Sequence, residues 1–209
     1  MSAAILSDGF FTFGGFLRVE QCAVFIDGGY FAKVTEQNFN RPAVDFQRLS
    51  DVLSAPAQRL RTYYYDCMPY QSDPPTPAEK EKHAAKARFI HAVQRSVQRF
   101  QFRQGRLRRT GPTTFEQKRI DVLLGVDMVR LCSKKQIDQV ILIAGDADLV
   151  PAVEACKEEG AIVRLYYHPS AISDELLNAV DERYEIDAAL ISGITRAVPA
   201  SGAGPSGSV

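Results

Sequence analysis

Four aspartates in this chain stand where carboxylates can bind a metal ion. Asp146 and Asp148 lie one residue apart, directly after the apolar run Val140–Ala144 and Gly145. Two carboxylates forced together repel unless a cation or a proton lies between them, so the pair reads as half of a metal site. Asp27 ends a second apolar run, Cys22–Ile26, and is followed by Gly28 and Gly29. Asp121 sits inside the apolar stretch Ile120–Leu131, in the helical sector shared with Gly125, Met128 and Cys132. An unpaired charge there is costly, and a cation shared with Asp27 and Asp146 would answer the cost. Asp127 falls in another sector, between Ile120 and Leu123, and reads either as a support for the metal ligands or as a structural hydrogen-bond acceptor. Hard divalent cations such as Mg²⁺ or Mn²⁺ prefer such oxygen donors, and carboxylate-bound cations of this kind hydrolyse phosphodiesters.

The same residues have a plainer reading. An Asp after a strand often only caps the next helix, and Asp-Gly often only makes a turn. An Asp-Gly hairpin at Asp27 would need a second strand straight after it, whereas Phe31, Val34 and Phe39 mark a helix.

The elements that must position these residues follow from the hydrophobic pattern. Cys22–Ile26 and Val140–Ala144 are short, bounded, apolar runs, the signature of strands buried on both faces in a parallel sheet. Each is followed by a helix, the second with Pro151 in its first turn, which places Asp27, Asp146 and Asp148 at the carboxyl edge where open α/β sheets keep their ligands. Gly28 and Gly145 permit close backbone approach beside the carboxylates. Val44–Leu53 reads as an amphipathic helix and Arg59–Asp66 as a strand ending in Asp66. Thr76-Pro-Ala-Glu79 is a capping box that opens a helix running to about Arg99, with Ala85, Phe89, Val93 and Val97 on one stripe. Phe100–Leu107 alternates as one strand, and the Ile120–Leu131 helix is apolar almost all round, hence buried. Gly160–Tyr167 is a last buried strand, Ser173 caps a helix reaching Asp181, and Ile186 begins a short edge strand. The result is an α/β fold: a Rossmann-like α/β/α sandwich with a mostly parallel central sheet.

The 209 residues suffice for one domain with a full core. Residues 21–190 form that domain, residues 1–20 an N-terminal arm, and residues 196–209, rich in Pro, Gly, Ser and Ala, a disordered tail. For the aromatic stretch Phe10–Leu17 two readings stay open: translation from an upstream start codon, or an arm that packs on a partner subunit of a homo-oligomer. The stretch is too short to span a bilayer and lacks the basic start and small-residue cleavage site of a signal peptide. Cys22, Cys67, Cys132 and Cys156 are scattered, without zinc spacing, as befits small core residues in a reducing cytoplasm.

The net charge of zero conceals an asymmetry. Between Glu79 and Arg119 there are twelve Lys or Arg and three Asp or Glu, and the remainder of the chain carries the compensating acid. Arg103, Arg106, Arg108, Arg109, Lys118 and Arg119 cluster just ahead of Asp121. A solvated basic face is the ordinary meaning of such a run. A surface that tracks nucleic-acid phosphates explains better why it leads into the carboxylates.

With Asp27-Gly-Gly-Tyr, Lys118-Arg-Ile-Asp121, Gly145-Asp-Ala-Asp148 and Ser173-x-x-Leu-Leu-x-x-Val-Asp181 in this order, the chain resembles the NYN-domain proteins, most closely the LabA-like branch of the PIN-like nuclease superfamily. The resemblance covers roughly Cys22 to Ile186. It implies a PIN-like sandwich whose clustered aspartates bind Mg²⁺ or Mn²⁺ and hydrolyse RNA, with Asp27, Asp121, Asp146 and Asp148 matching the acidic cluster. The chain departs from the family pattern at Tyr30, where Asn is common, at Ala147 and Leu149 in the Gly-Asp-Ser-Asp-Phe motif, and at Arg119-Ile120 for Gly-Val. The alternative is a non-catalytic PIN-like regulator that binds RNA or protein and oligomerises. A dinucleotide enzyme is disfavoured, since no Gly-x-Gly-x-x-Gly follows a strand.

Overall fold

The computed structural model of the protein describes residues 19–196 apart from 110, 112–114 and 119, and describes the strands at 106–109 and 115–118 by their backbone. The expected arm, Phe10–Leu17 included, and the tail from Val198 lie outside the described residues. The elements run β1 (Gln21–Asp27), α1 (Gly28–Phe39), α2 (Phe46–Ser54), β2 (Gln58–Asp66), α3 (Pro77–Ser96), β3 (Phe100–Gln104), β4 (Arg106–Arg109), β5 (Phe115–Lys118), α4 (Ile120–Ser133), β6 (Gln139–Ile143), α5 (Val150–Glu158), β7 (Ile162–Tyr167), α6 (Asp174–Ala179), β8 (Glu182–Glu185) and α7 (Ala188–Ile194). Six strands form one sheet in the order β3-β2-β1-β6-β7-β8, and every neighbouring pair is parallel.

The two apolar runs are its centre: Cys22–Ile26 and Val140–Ile143 are shielded from solvent on both sides. Their alternate residues feed two cores. Ala23, Phe25, Val140 and Leu142 pack with Leu124 and Met128 of α4, Val153 of α5 and Leu176 of α6. Cys22, Val24, Ile26, Ile141 and Ile143 pack with Val34 of α1, Leu49 of α2, Val93 of α3 and Ile191 of α7. Helices thus cover both faces, as burial of both strand faces demands. The expected caps form, Thr76 and Glu79 making the full capping box of α3 and Ser173 capping α6, and Asp45 caps α2.

Four expectations are corrected. The alternating stretch from Phe100 is two strands: β3 joins the main sheet, while β4 pairs antiparallel with β5 in a separate ribbon, Arg106 opposite Lys118. The break is Gly105, whose N–H binds the Asp66 carbonyl and where a Cβ would lie 2.5 Å from Ile120 Cδ1 and 2.9 Å from Cys67 Sγ. The α4 helix is not buried all round, since Val122 and Val126 are 67% and 57% exposed. Helix α3 stops at Ser96, and Arg99 turns the chain into β3 with a positive φ of 55°. The edge strand precedes Ile186, which is itself buried, and the short helix α7 follows.

Candidate active site

Because β1 and β6 are parallel neighbours with Ile26 opposite Ile143, the residues that follow them leave the sheet at one carboxyl edge. Asp27 leaves on one side, and Gly145, Asp146 and Asp148 on the other. Strand β2 flanks β1 with Tyr65 opposite Asp27, which brings Asp66 to the same edge. Asp121 arrives separately, in the first turn of α4.

The capping role of these aspartates is real. Asp27 Oδ1 accepts the Tyr30 N–H at 3.0 Å, starting α1. Asp146 Oδ1 accepts the Asp148 N–H at 3.1 Å, starting the 3-10 turn Ala147–Leu149 that leads into α5. Capping does not exhaust them, because the carboxylates also act on one another. Burial pushes Asp27 up to about 6, opposed by the N–H groups of Tyr30 and Gly29 and reinforced by the charges of Asp121 and Asp66. Burial also raises Asp121, with Asp146 and Asp148 adding to the shift.

The sign of the Asp27 shift yields a test. Its folded value of about 6 lies above the ordinary 3.8, so the folded state holds the proton more tightly between those limits. The contribution to stability is present in full below the unfolded value and is lost as pH rises through the folded one. In the metal-free protein, wild type should lose stability relative to Asp27→Asn on going from about pH 4 to about pH 7. Urea unfolding of both proteins checks this, and parallel pH curves would refute it.

Two hollows flank the carboxylates. A cleft of about 670 Å³ is lined by Asp27, Tyr30, Lys33, Asp146, Ser170 and Ser173 among others. A groove of about 420 Å³ is lined by Asp121, Asp148, Val122, Gly125 and Val126 together with Leu149, Pro151 and Ala152. Asp121 is therefore half-buried in a groove beside Asp148, not enclosed with Met128 and Cys132. It occupies the first turn of α4, at the sheet edge, while those two residues lie further along in the core.

The enclosed carboxylate of α4 is Asp127. It takes a two-pronged ion pair from Arg103, Nε to Oδ2 and Nη2 to Oδ1, both at 2.8 Å. Tyr65 donates its hydroxyl proton at 3.0 Å, and Arg130 approaches at 2.9 Å. Asp127 is thus the structural acceptor of the two alternatives. Arg103, expected on the RNA surface, faces this buried carboxylate and the ring of Tyr63. Arg106, Arg108, Arg109 and Lys118 lie on the β4–β5 ribbon, and Arg119 lies outside the described residues.

Sequence reasoning passed over Asp66 and Lys86 at this edge, whereas the close approaches it expected at Gly28 and Gly145 are present. Asp66 is buried and ion-paired with Lys86, whose ammonium stands 5.5 Å from the centre of the Phe89 ring. Its signal was the shared pattern of a strand ending in Asp. Gly28 meets the Tyr64 ring so closely that a Cβ would lie 2.5 Å from it. At Gly145 a Cβ would lie 2.4 Å from both the Tyr30 ring and the Ala171 carbonyl.

Among the described residues, no three His, Cys, Asp or Glu side chains stand close enough to enclose a metal ion as they are placed. By donor chemistry the set fits a hard divalent cation: all oxygen, with Asp27 and Asp121 raised by burial and by neighbouring negative charge. Closing on one ion requires the side chains to turn toward each other.

No curated protein matches the chain. Among solved structures, a protein of unknown function, VPA0982 from Vibrio parahaemolyticus, aligns with a TM-score of 0.62 and 20% identity, covering 81% of this chain and 94% of that one. That likeness is one of fold. LpCGTa in complex with UDP aligns at a TM-score of 0.28 and 14% identity, over 71% of this chain and 31% of that one. Residues 21–187 match the NYN domain, which spans every strand of the sheet and the aspartates of its carboxyl edge. The chain belongs to the NYN domain family, with the Rossmann-like, PIN-like fold its parallel sheet displays.

Proposed function

We propose that the protein is a metal-dependent ribonuclease of the LabA-like kind, hydrolysing phosphodiester bonds of single-stranded RNA. The observation that carries this reading is the convergence of Asp27, Asp121, Asp146 and Asp148 on one edge of the sheet, where Asp27 and Asp121 are raised by burial and by the neighbouring carboxylates. Asp27, Asp121 and Asp146 would hold Mg²⁺ or Mn²⁺, and Asp148 would hold the ion or orient water. The chemistry a bound ion supplies is polarisation of the phosphate and activation of water. Around it the chain's own groups do the positioning. The Asp27 and Asp146 caps fix each carboxylate against its helix start, and Gly28 and Gly145 keep the surrounding backbone close. Arg106, Arg108, Arg109, Lys118 and Arg119 would track the RNA backbone. No helix among the described residues is long and apolar enough to cross a membrane, and four free, buried cysteines support a cytoplasmic setting.

A second reading, a non-catalytic PIN-like protein that binds RNA or a protein and self-associates, is favoured by the open spacing of the carboxylates. One experiment separates the two. Purified protein is incubated with labelled single-stranded RNA in Mn²⁺, Mg²⁺ or EDTA, and thermal melts are recorded in the same buffers. Cleavage should require metal, and native-state binding should raise stability by about 2.7 kcal/mol at a hundredfold excess over Kd. Intact RNA and superimposed melts in all three would sink the nuclease reading.

A further inference from the structure

Arg106, Arg108, Arg109 and Lys118 lie to one side of the carboxylates, on the β4–β5 ribbon leading into α4. The 670 Å³ cleft lies to the other side, between α1, the Gly145–Ala147 loop and Ser170–Ser173. Its floor is packed and hydrogen-bonded. The Tyr30 ring wedges against Gly145, and its hydroxyl accepts the His168 N–H at 3.0 Å. The Ser173 N–H binds the Gly145 carbonyl at 3.0 Å, closing the loop onto the same floor. Tyr30, which stands where the family commonly has Asn, thus works as a brace between α1 and the segment after β7.

The walls of this cleft are chemically unlike. Asp27 and Asp146 form the inner side, and Lys33 is the basic residue among its lining. Lys33 is exposed, and among the described residues it makes no ion pair. The rise of α1 sets it roughly 8 Å along the helix from Gly28. Ser173 Oγ accepts the Leu176 N–H at 3.1 Å and keeps its own proton to donate.

We propose that this cleft is a second RNA-binding subsite, holding the strand on the far side of the cleavage point with one phosphate on Lys33. The strand would then cross the carboxylates, with the basic ribbon engaging it on one side and Lys33 on the other. The choice of RNA as ligand rests on the ribonuclease reading. The contact itself is a point charge for an anion in a cleft of the size that binding sites have.

The test measures binding without turnover. Full-length protein carrying Asp121→Asn is titrated with a fluorescein-labelled single-stranded oligoribonucleotide across a range of salt. Adding Lys33→Ala should weaken affinity several-fold and lower the salt slope by about 0.7, the share of one phosphate contact on a single strand. Lys33→Arg should retain both, and Lys33→Glu should bind more weakly than Lys33→Ala. Unchanged affinity and slope in Lys33→Ala would overturn the subsite even if the wild type cleaves RNA. A Lys33-dependent slope in a protein that never cleaves would uphold the subsite and remove the nuclease reading alone.

Discussion

Asp127→Ala is expected to destabilise the protein by about 3–5 kcal/mol, the scale for breaking a buried ion pair by removing one partner. The carboxylate is only 5% exposed and its main partner Arg103 only 28%. Removing it leaves a guanidinium and the Tyr65 hydroxyl facing a cavity, with Arg103 still over the Tyr63 ring. Arg130 adds little, since it is 47% exposed and reaches water unaided. Arg103→Met, which removes the charge but keeps the apolar stem, should cost less than Arg103→Ala, because the stem still packs. Urea unfolding measures all three variants. A loss below about 1 kcal/mol for Asp127→Ala would mean that the pair is screened like a surface bridge.

Asp121→Asn should behave in the opposite way. Cleavage should fall by more than about 100-fold, since even groups that merely support metal ligands change activity by 10–100-fold. Stability of the metal-free protein should be unchanged or higher. The raised Asp121 carboxylate is disfavoured by burial and by Asp146 and Asp148, so a neutral isostere relieves repulsion. Addition of Mn²⁺ should then stabilise wild type more than the variant. Gel-resolved cleavage and urea unfolding with Mn²⁺ and with EDTA read both effects. Equal destabilisation of the variant in both buffers, or cleavage at the wild-type rate, would take Asp121 out of the site.

The two aspartates of α4 show where the sequence was legible and where it was not. Buried strands ending in Asp could be read directly, because an unbroken apolar run and a following helix leave few alternatives. That pattern placed Asp27 and Asp146 at one edge, and the structure puts them there. Which α4 carboxylate is buried could not be read, because the answer is Arg103, a partner 24 residues away on strand β3. A helix apolar nearly all round gives no face to orient by, so the outward turn of Val122 and Val126 carried no sign in the pattern. The strand from Phe100 kept its alternation past Gly105, and alternation is blind to a change of sheet partner. Lys33 carries no motif at all, and only the cleft around it draws notice.

The sheet order has a consequence for how the protein is made. Strand β1 emerges early in synthesis, yet its neighbour β6 lies far along the chain: the Gln21 N–H is bound by Asp138, 117 residues away. Contacts of such long range close late in folding. A ribosome adding about 5–20 residues per second therefore exposes Asp27 for several seconds before Asp146 exists to join it. During that interval the growing chain has half of its acidic edge and no opposite wall to the cleft. The acidic edge stays incomplete until the last third of the domain zips onto the first strand.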